Sequence, residues 1–273
     1  MVENNSSMKR PFNWKLFFIV WGAAVVGAIA LIPFARTLQS GLLDNLDLPL
    51  PEWQLALLGL VQTAVLLAIA TGIGLLLAWR VGLGLPIVER WLKKEPIQQR
   101  LRGILALSIF GGVLVGVIIV GLDLIIFQPL LAEGGIAFPE SATPPIWQGI
   151  LAALYGGITE EVLLRLFLMT LLVWIGAKIT RSKGGQPATA VLWIATILAA
   201  VVFGLGHLPA TAALGLPLNG LVITRAILLN GVGGVFFGWL YFTRGLESSM
   251  LAHYSAAIVL IVLFAVIPLL RLG

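Results

Sequence analysis

Seven stretches of this chain are apolar over lengths that cross a lipid bilayer, and nothing else in the sequence constrains the fold as strongly. A spanning helix needs about 20 predominantly apolar residues. Such stretches occupy roughly residues 14–35, 53–79, 103–127, 146–177, 187–208, 217–243 and 246–270. In hydrocarbon the backbone must satisfy its own hydrogen bonds, which leaves helices or closed barrels. The expected fold class is all-α: a polytopic membrane helix bundle of seven spans. The count becomes eight if 218–230 is a separate interfacial or broken half-helix, since it holds Arg225 and ends in Asn230-Gly231-Val232-Gly233-Gly234. Composition agrees. Only 11% of residues are charged, against about 25% in an ordinary soluble domain, and the mean hydropathy is +1.04. A chain of 273 residues with seven spans leaves no room for a second, soluble domain.

The basic residues report orientation. Lys9, Arg10 and Lys15 precede the first span. Arg80, Arg90, Lys93, Lys94, Arg100 and Arg102 lie between the second and third. Lys178, Arg181 and Lys183 follow the fourth, and Arg244 precedes the seventh. Thirteen of the 17 Lys and Arg therefore share one face. The opposite loops hold Arg36 and Arg271, with Asp44, Asp47, Glu52, Glu133 and Glu140. By the positive-inside rule the N-terminus is cytoplasmic and, after seven spans, the C-terminus is outside. The net charge of +5 is thus a topology signal and does not point to nucleic acid. The first apolar run lacks a small-residue cleavage site and reads as a retained helix. Residues 86–102 read as a basic amphipathic helix on the inner leaflet. The expected organisation is a cytoplasmic segment 1–13, N-terminal spans over 14–145 with the basic loop 80–102, and a core over 146–273. Membrane lipid is an expected partner. Gly112-Val-Leu-Val-Gly116 and Gly234-Val-Phe-Phe-Gly238 have the spacing that lets helices approach closely in lipid.

The chemistry concentrates in the fourth span, Gly157-Ile-Thr-Glu160-Glu161-Val-Leu-Leu-Arg165-Leu-Phe-Leu-Met169. An ionised side chain at the bilayer centre costs about 2.5–3.5 kcal/mol on insertion scales. Three within six residues call for a polar cavity. Glu161 and Arg165 are four apart and share a helix face, which allows an ion pair. Glu160 is rotated by about 100° from its neighbour, so it can face a cavity as a general base. The plainer reading is a buried pair that only orients the bundle. The second carboxylate counts against that reading, because one arginine balances one charge.

There are two histidines and no cysteine. The missing cysteines exclude disulfides, thiolate metal sites and a Cys nucleophile. His207 follows Phe203 by four residues, on one helix face, with Gly204 and Gly206 between them. His253 lies in Ser248-Ser-Met-Leu-Ala-His253-Tyr-Ser-Ala-Ala257. Either could be a hydrogen-bonded histidine of a packed helix. The helix limits also place His207 near the outer end of its span and His253 near the inner start of its own. On those limits the two could meet Glu160 only if a helix breaks or tilts. The Gly-rich stretches 204–206 and 231–234 are the candidate breaks.

Glu160-Glu161-x-x-x-Arg165, Phe203-x-x-x-His207 and His253, in that order and each in an apolar segment, resemble the three motifs of the CPBP family. These are intramembrane proteases also called Abi or CAAX prenyl endopeptidase-like, and the resemblance covers roughly 146–265. It implies a Glu-activated water attacking a peptide bond of a membrane-associated or lipid-linked protein substrate. Glu160 would activate the water, His207 would help to hold it, Glu161 would pair with Arg165, and His253 would stabilise the oxyanion or complete the site. The family usually carries Asn or Asp four residues after the last histidine, and here that position is Ala257. Losing one oxyanion donor typically costs about 10²–10³ in rate. Ser255, Asn219 and Asn230 are the candidate replacements.

Two histidines and Glu160 could in principle bind zinc. Their spacing matches no local zinc motif such as His-Glu-x-x-His, so the expectation is hydrolysis that requires no cofactor. The alternatives are a non-catalytic CPBP-like scaffold or self-immunity protein, favoured by Ala257, and a small transporter, disfavoured by the lack of duplicated halves. The expected location is a prokaryotic plasma membrane. The roles of Asp123 and Arg225 stay open at this point.

Overall fold

The computed structural model describes residues 12–43, 50–136, 144–180 and 186–270. Lys9, Arg10, Asp44, Asp47, Glu140, Arg181, Lys183 and Arg271, used above for orientation, lie outside these. The described residues form helices throughout. They are α1 (Trp14–Leu43), α2 (Glu52–Ala78), α3 (Pro86–Leu92), α4 (Gln98–Leu122), α5 (Gln128–Glu133), α6 (Ile146–Leu154), α7 (Thr170–Ile179), α8 (Thr189–Gly206), α9 (Leu208–Ala213), α10 (Gly220–Arg244) and α11 (Leu246–Leu270). Wider π-helical turns join α4 to α5 over Asp123–Phe127. Two more, Tyr155–Glu160 and Val162–Met169, join α6 to α7. Seven continuous segments are long and apolar enough to span: 14–40, 52–78, 98–133, 146–179, 189–213, 220–244 and 246–263. The protein is an integral multi-pass membrane protein.

Three sequence expectations change. The stretch 218–230 is no half-helix, because α10 runs unbroken over Gly220–Arg244 and Gly231–Gly234 lie inside it. Its start is set by Asn219, whose side chain accepts from the Val222 amide at 3.0 Å. Residues 86–102 are not one amphipathic helix. Lys94 takes a left-handed conformation, φ 59°. The amides of Lys94 and Glu95 then bond back to the carbonyls of Trp91 and Arg90. These are the paired bonds of a Schellman helix stop, and Pro96 follows it. The third span starts earlier and ends later than its hydropathy core, because α4 begins among the basic residues at Gln98 and α5 continues to Glu133.

The outer faces of the spans are apolar and exposed, as Leu57, Leu58, Val61, Val65 and Ile69 of α2 show. The interior is apolar too. Leu16, Val20 and Ala24 of α1 pack with Leu67 of α2 and with Val162, Leu166, Met169 and Val173 of the fourth span. A second cluster joins Val115, Phe237, Leu240, Ala252 and Ala256 of α4, α10 and α11. Lipid gives no hydrophobic drive between helices, so close packing must hold them. The small-residue pairs provide it. A Cβ on Gly112 or Gly116 would strike the backbone of α11 at Ala252 or Ala256. One on Gly234 or Gly238 would strike Ala200 or Thr196 of α8 at 2.7 or 2.6 Å.

Candidate active site

Glu160, His207 and His253 converge. Glu160 Oε2 lies 3.7 Å from His253 Nε2, and Glu160 Oε1 lies 3.9 Å from His207 Nε2. Both distances are longer than hydrogen bonds. The helix limits let the three meet only if a helix breaks or is bounded differently, and both happen, the break falling just after Gly204–Gly206. The fifth span does not end at 208. It breaks at His207, ahead of Pro209, and continues as α9 to Ala213, so His207 lies within the span. Proline at the second position of α9 has no amide to continue the α8 ladder. In addition, the start of α11 is roofed. The Leu246 amide donates to Gly84 O at 3.0 Å, and Glu247 accepts from the Ile87 and Val88 amides at 2.8 and 2.9 Å. The α2–α3 connection and α3 thus cover the first turn of α11, and His253 lies deeper than its place in the helix suggests.

Local backbone helps. Glu160 ends one π-helical turn and Glu161 precedes the next. Wide turns of this kind occur often at functional sites. Two glycines just before them let α11 approach, since a Cβ on Gly157 would lie 2.8 Å from Tyr254 Cβ.

Glu161 and Arg165 form the fully buried support. Arg165 Nη1 lies 2.9 Å from Glu161 Oε1, and the side chains are 1% and 0% exposed. Nη1 is off the hydrogen-bond angle, so this contact is ionic. Nη2 donates to Gly234 O at 3.1 Å. The guanidinium also sits over the rings of Phe203 and Phe237, 5.1 and 5.5 Å from their centroids, a cation–π arrangement that offsets desolvation. Glu161 further accepts from Ser249 Oγ and from His253 Nδ1, the latter at 2.8 Å.

These bonds assign both histidine tautomers. A carbonyl only accepts, so His207 Nδ1, 2.9 Å from Phe203 O, carries a hydrogen. A carboxylate only accepts, so His253 Nδ1 carries one as well. In its neutral form each ring then turns an unprotonated Nε2 toward Glu160. Phe237 stacks flat on His253, with centroids 4.5 Å apart, and Phe203 meets both histidines edge-on.

A cavity of about 270 Å³ opens on the three groups. Asp123, Arg225 and Asn230 also line it, with apolar Ile119, Leu229 and Leu260. Asp123 and Arg225 form a two-pronged pair at 2.6 and 2.9 Å, so they belong to the site's surroundings. Of the candidate replacements for the amide missing at Ala257, only Asn230 lines the cavity. Asn219 caps α10, and Ser255 Oγ donates to Leu251 O at 2.8 Å. Ala257 does not itself line the cavity, whereas Ala256 does. Among the described residues no group of three His, Asp or Glu is gathered as a metal ion would require. Glu160 with the two Nε2 atoms, the set weighed for zinc above, is not so gathered.

Sequence reading passed over Ser249 and Phe237. Ser249 is four residues before His253 and so shares its helix face, which is a usable signal. Phe237 carried none, being one aromatic among many.

The fold and site define a class: a multi-pass helical membrane protein with a carboxylate and two histidines facing a cavity within its bundle. Residues 142–266, a little under half of the chain, match the family model described as Type II CAAX prenyl endopeptidase Rce1-like. That match covers the core in which the motifs lie and agrees with the CPBP resemblance. No curated protein and no solved structure matches the chain.

Proposed function

We propose that the protein is an intramembrane endopeptidase that hydrolyses a peptide bond of a membrane-associated or lipid-linked substrate, with water activated by Glu160. The observation that carries this reading is the approach of two Nε2 atoms and one carboxylate to one side of the cavity. Glu160 and the neutral His207 Nε2 suit a water molecule, which offers each of them one hydrogen and then gives one up. Glu160 takes that proton as the water oxygen attacks the carbonyl carbon, and His207 holds the water. The resulting oxyanion receives a hydrogen bond from Asn230, whose Nδ2 donates once to Ala226 O at 2.8 Å and keeps a second N–H. His253 is oriented by Glu161, as a histidine is by the carboxylate of a hydrolytic triad, which stabilises its imidazolium. A proton from the Glu160–His253 pair passes to the amide nitrogen, and the C–N bond breaks to give an acid and an amine. Glu161, Arg165 and Ser249 are positioning residues. No metal takes part, and activity should survive exhaustive chelation.

The N-terminus faces the cytoplasm, on the basic-loop argument, and substrates enter the cavity sideways from the membrane. A membrane-anchored peptide library incubated with the protein in detergent tests the reading. Cleavage by the wild type and none by Glu160→Ala supports it. Equal cleavage by both excludes Glu160 as the base. Ala257 favours a second reading, a non-catalytic scaffold. Under that reading the wild type cleaves nothing while Ala257→Asn gains no activity either.

A further inference from the structure

On the face that carries the basic loops, three guanidiniums from three elements line one concavity of about 650 Å³: Arg90 of α3, Arg100 of α4 and Arg244 at the end of α10. Arg100 and Arg244 also line the adjoining concavity of about 430 Å³. No Asp or Glu lines the larger one. Glu89 lines the adjoining one, and the Glu95 carboxylate is 4.0 Å from Arg90 Nε. Three like charges around one hollow repel each other, so the arrangement is complementary to an anion that enters it. The hollow is also built by the backbone. The Schellman stop at Lys94 turns the chain between α3 and α4, bringing Arg90 and Arg100 to one hollow where a continuous helix 86–102 would have spread them along its length.

The level of the site selects the anion. Trp14, Trp79 and Trp91 are 62%, 45% and 58% exposed and belong to the start of α1, the end of α2 and α3, all on the basic face. Exposed tryptophans gather at the headgroup level of a bilayer. Guanidiniums match phosphate oxygens with paired N–H bonds. We infer that the concavity formed by Arg90, Arg100 and Arg244 binds the phosphate of an anionic phospholipid headgroup in the leaflet that the basic face meets. The site is separate from the Glu160 cavity and does not rest on the proposed activity.

The test uses the full chain in nanodiscs containing phosphatidylglycerol, with bound lipid counted by native mass spectrometry after transfer to a neutral detergent. Arg100→Gln with Arg244→Gln should weaken phosphatidylglycerol retention by about thirtyfold, because each removes guanidinium–phosphate hydrogen bonds as well as charge. Lys93→Gln with Lys94→Gln removes the same charge beside the hollow and should leave retention within about twofold, since screened exposed charges contribute little. Equal losses in the two double variants would reduce the effect to general surface charge and overturn the site. Inorganic phosphate binding to lipid-free protein as tightly as phosphatidylglycerol would assign the hollow to a soluble ligand and overturn the lipid reading.

Discussion

Two arginine–carboxylate pairs flank the cavity that Glu160 faces, and the chain builds them in opposite ways. Glu161 and Arg165 are one helical turn apart and shut away from solvent, with Ser249, His253, Gly234 O and two phenylalanine rings completing the shell. Asp123 and Arg225 are 102 residues apart and join α10 to the π-helical turn after α4. Asp123 is buried, but the Arg225 side chain is 21% exposed and lines the cavity. The enclosed pair fixes the histidine that faces Glu160. The cross-helix pair fastens one side of the space a substrate would fill. Burial decides the consequence of breaking each, because an uncompensated buried charge costs far more than one that water can reach.

The largest effect should follow Arg165→Met, which leaves Glu161 buried without its cation and should destabilise by about 3–5 kcal/mol. Thermal unfolding in detergent reads this, and the double change Arg165→Met with Glu161→Gln should recover much of the loss. Asp123→Asn comes next, at about 1–3 kcal/mol, because Arg225 keeps partial hydration. Losses of equal size would erase the distinction between the two pairs. Ser249→Ala removes one donor from Glu161 but leaves His253 and Arg165 in place, for about 1–2 kcal/mol. It should also lower kcat more than it raises KM, because Ser249 does not line the cavity. Tyr241→Phe is the smallest. The hydroxyls of Thr170 and Tyr241 are 2.7 Å apart, and Thr170 Oγ1 also bonds Arg165 O at 3.0 Å. Membrane side-chain hydrogen bonds average about 0.6 kcal/mol, and an unfolding midpoint close to wild type is expected.

The same contrast explains what could be read before the fold was known. Glu161–Arg165 was legible because helical spacing is a local property, and hydropathy located the seven spans for the same reason. Asp123 and Arg225 stood out as charges in apolar segments. Their pairing was invisible, because no periodicity links positions so far apart. The meeting of His207, His253 and Glu160 called for a break or a shifted helix limit, and the Gly204–Gly206 stretch marked one place for it. Hydropathy sees the length of an apolar run, but it does not see that α9 prolongs the fifth span past Pro209 or that α3 roofs α11. The amphipathic helix expected over 86–102 failed because a lysine adopts the left-handed conformation that glycine usually supplies. Asn230 drew notice only as a replacement for the amide missing at Ala257, and its place in the cavity comes from the uninterrupted course of α10.

The central claim is that Glu160, free of the arginine that holds its neighbour, is the base. The direct test is the single-turnover cleavage rate of a membrane-anchored peptide by the reconstituted protein and by Glu160→Gln, with unfolding midpoints measured in parallel. The account predicts a loss of at least about 10²-fold in rate with an unchanged midpoint. A Glu160→Gln protein that is equally stable and cleaves at the wild-type rate would contradict it.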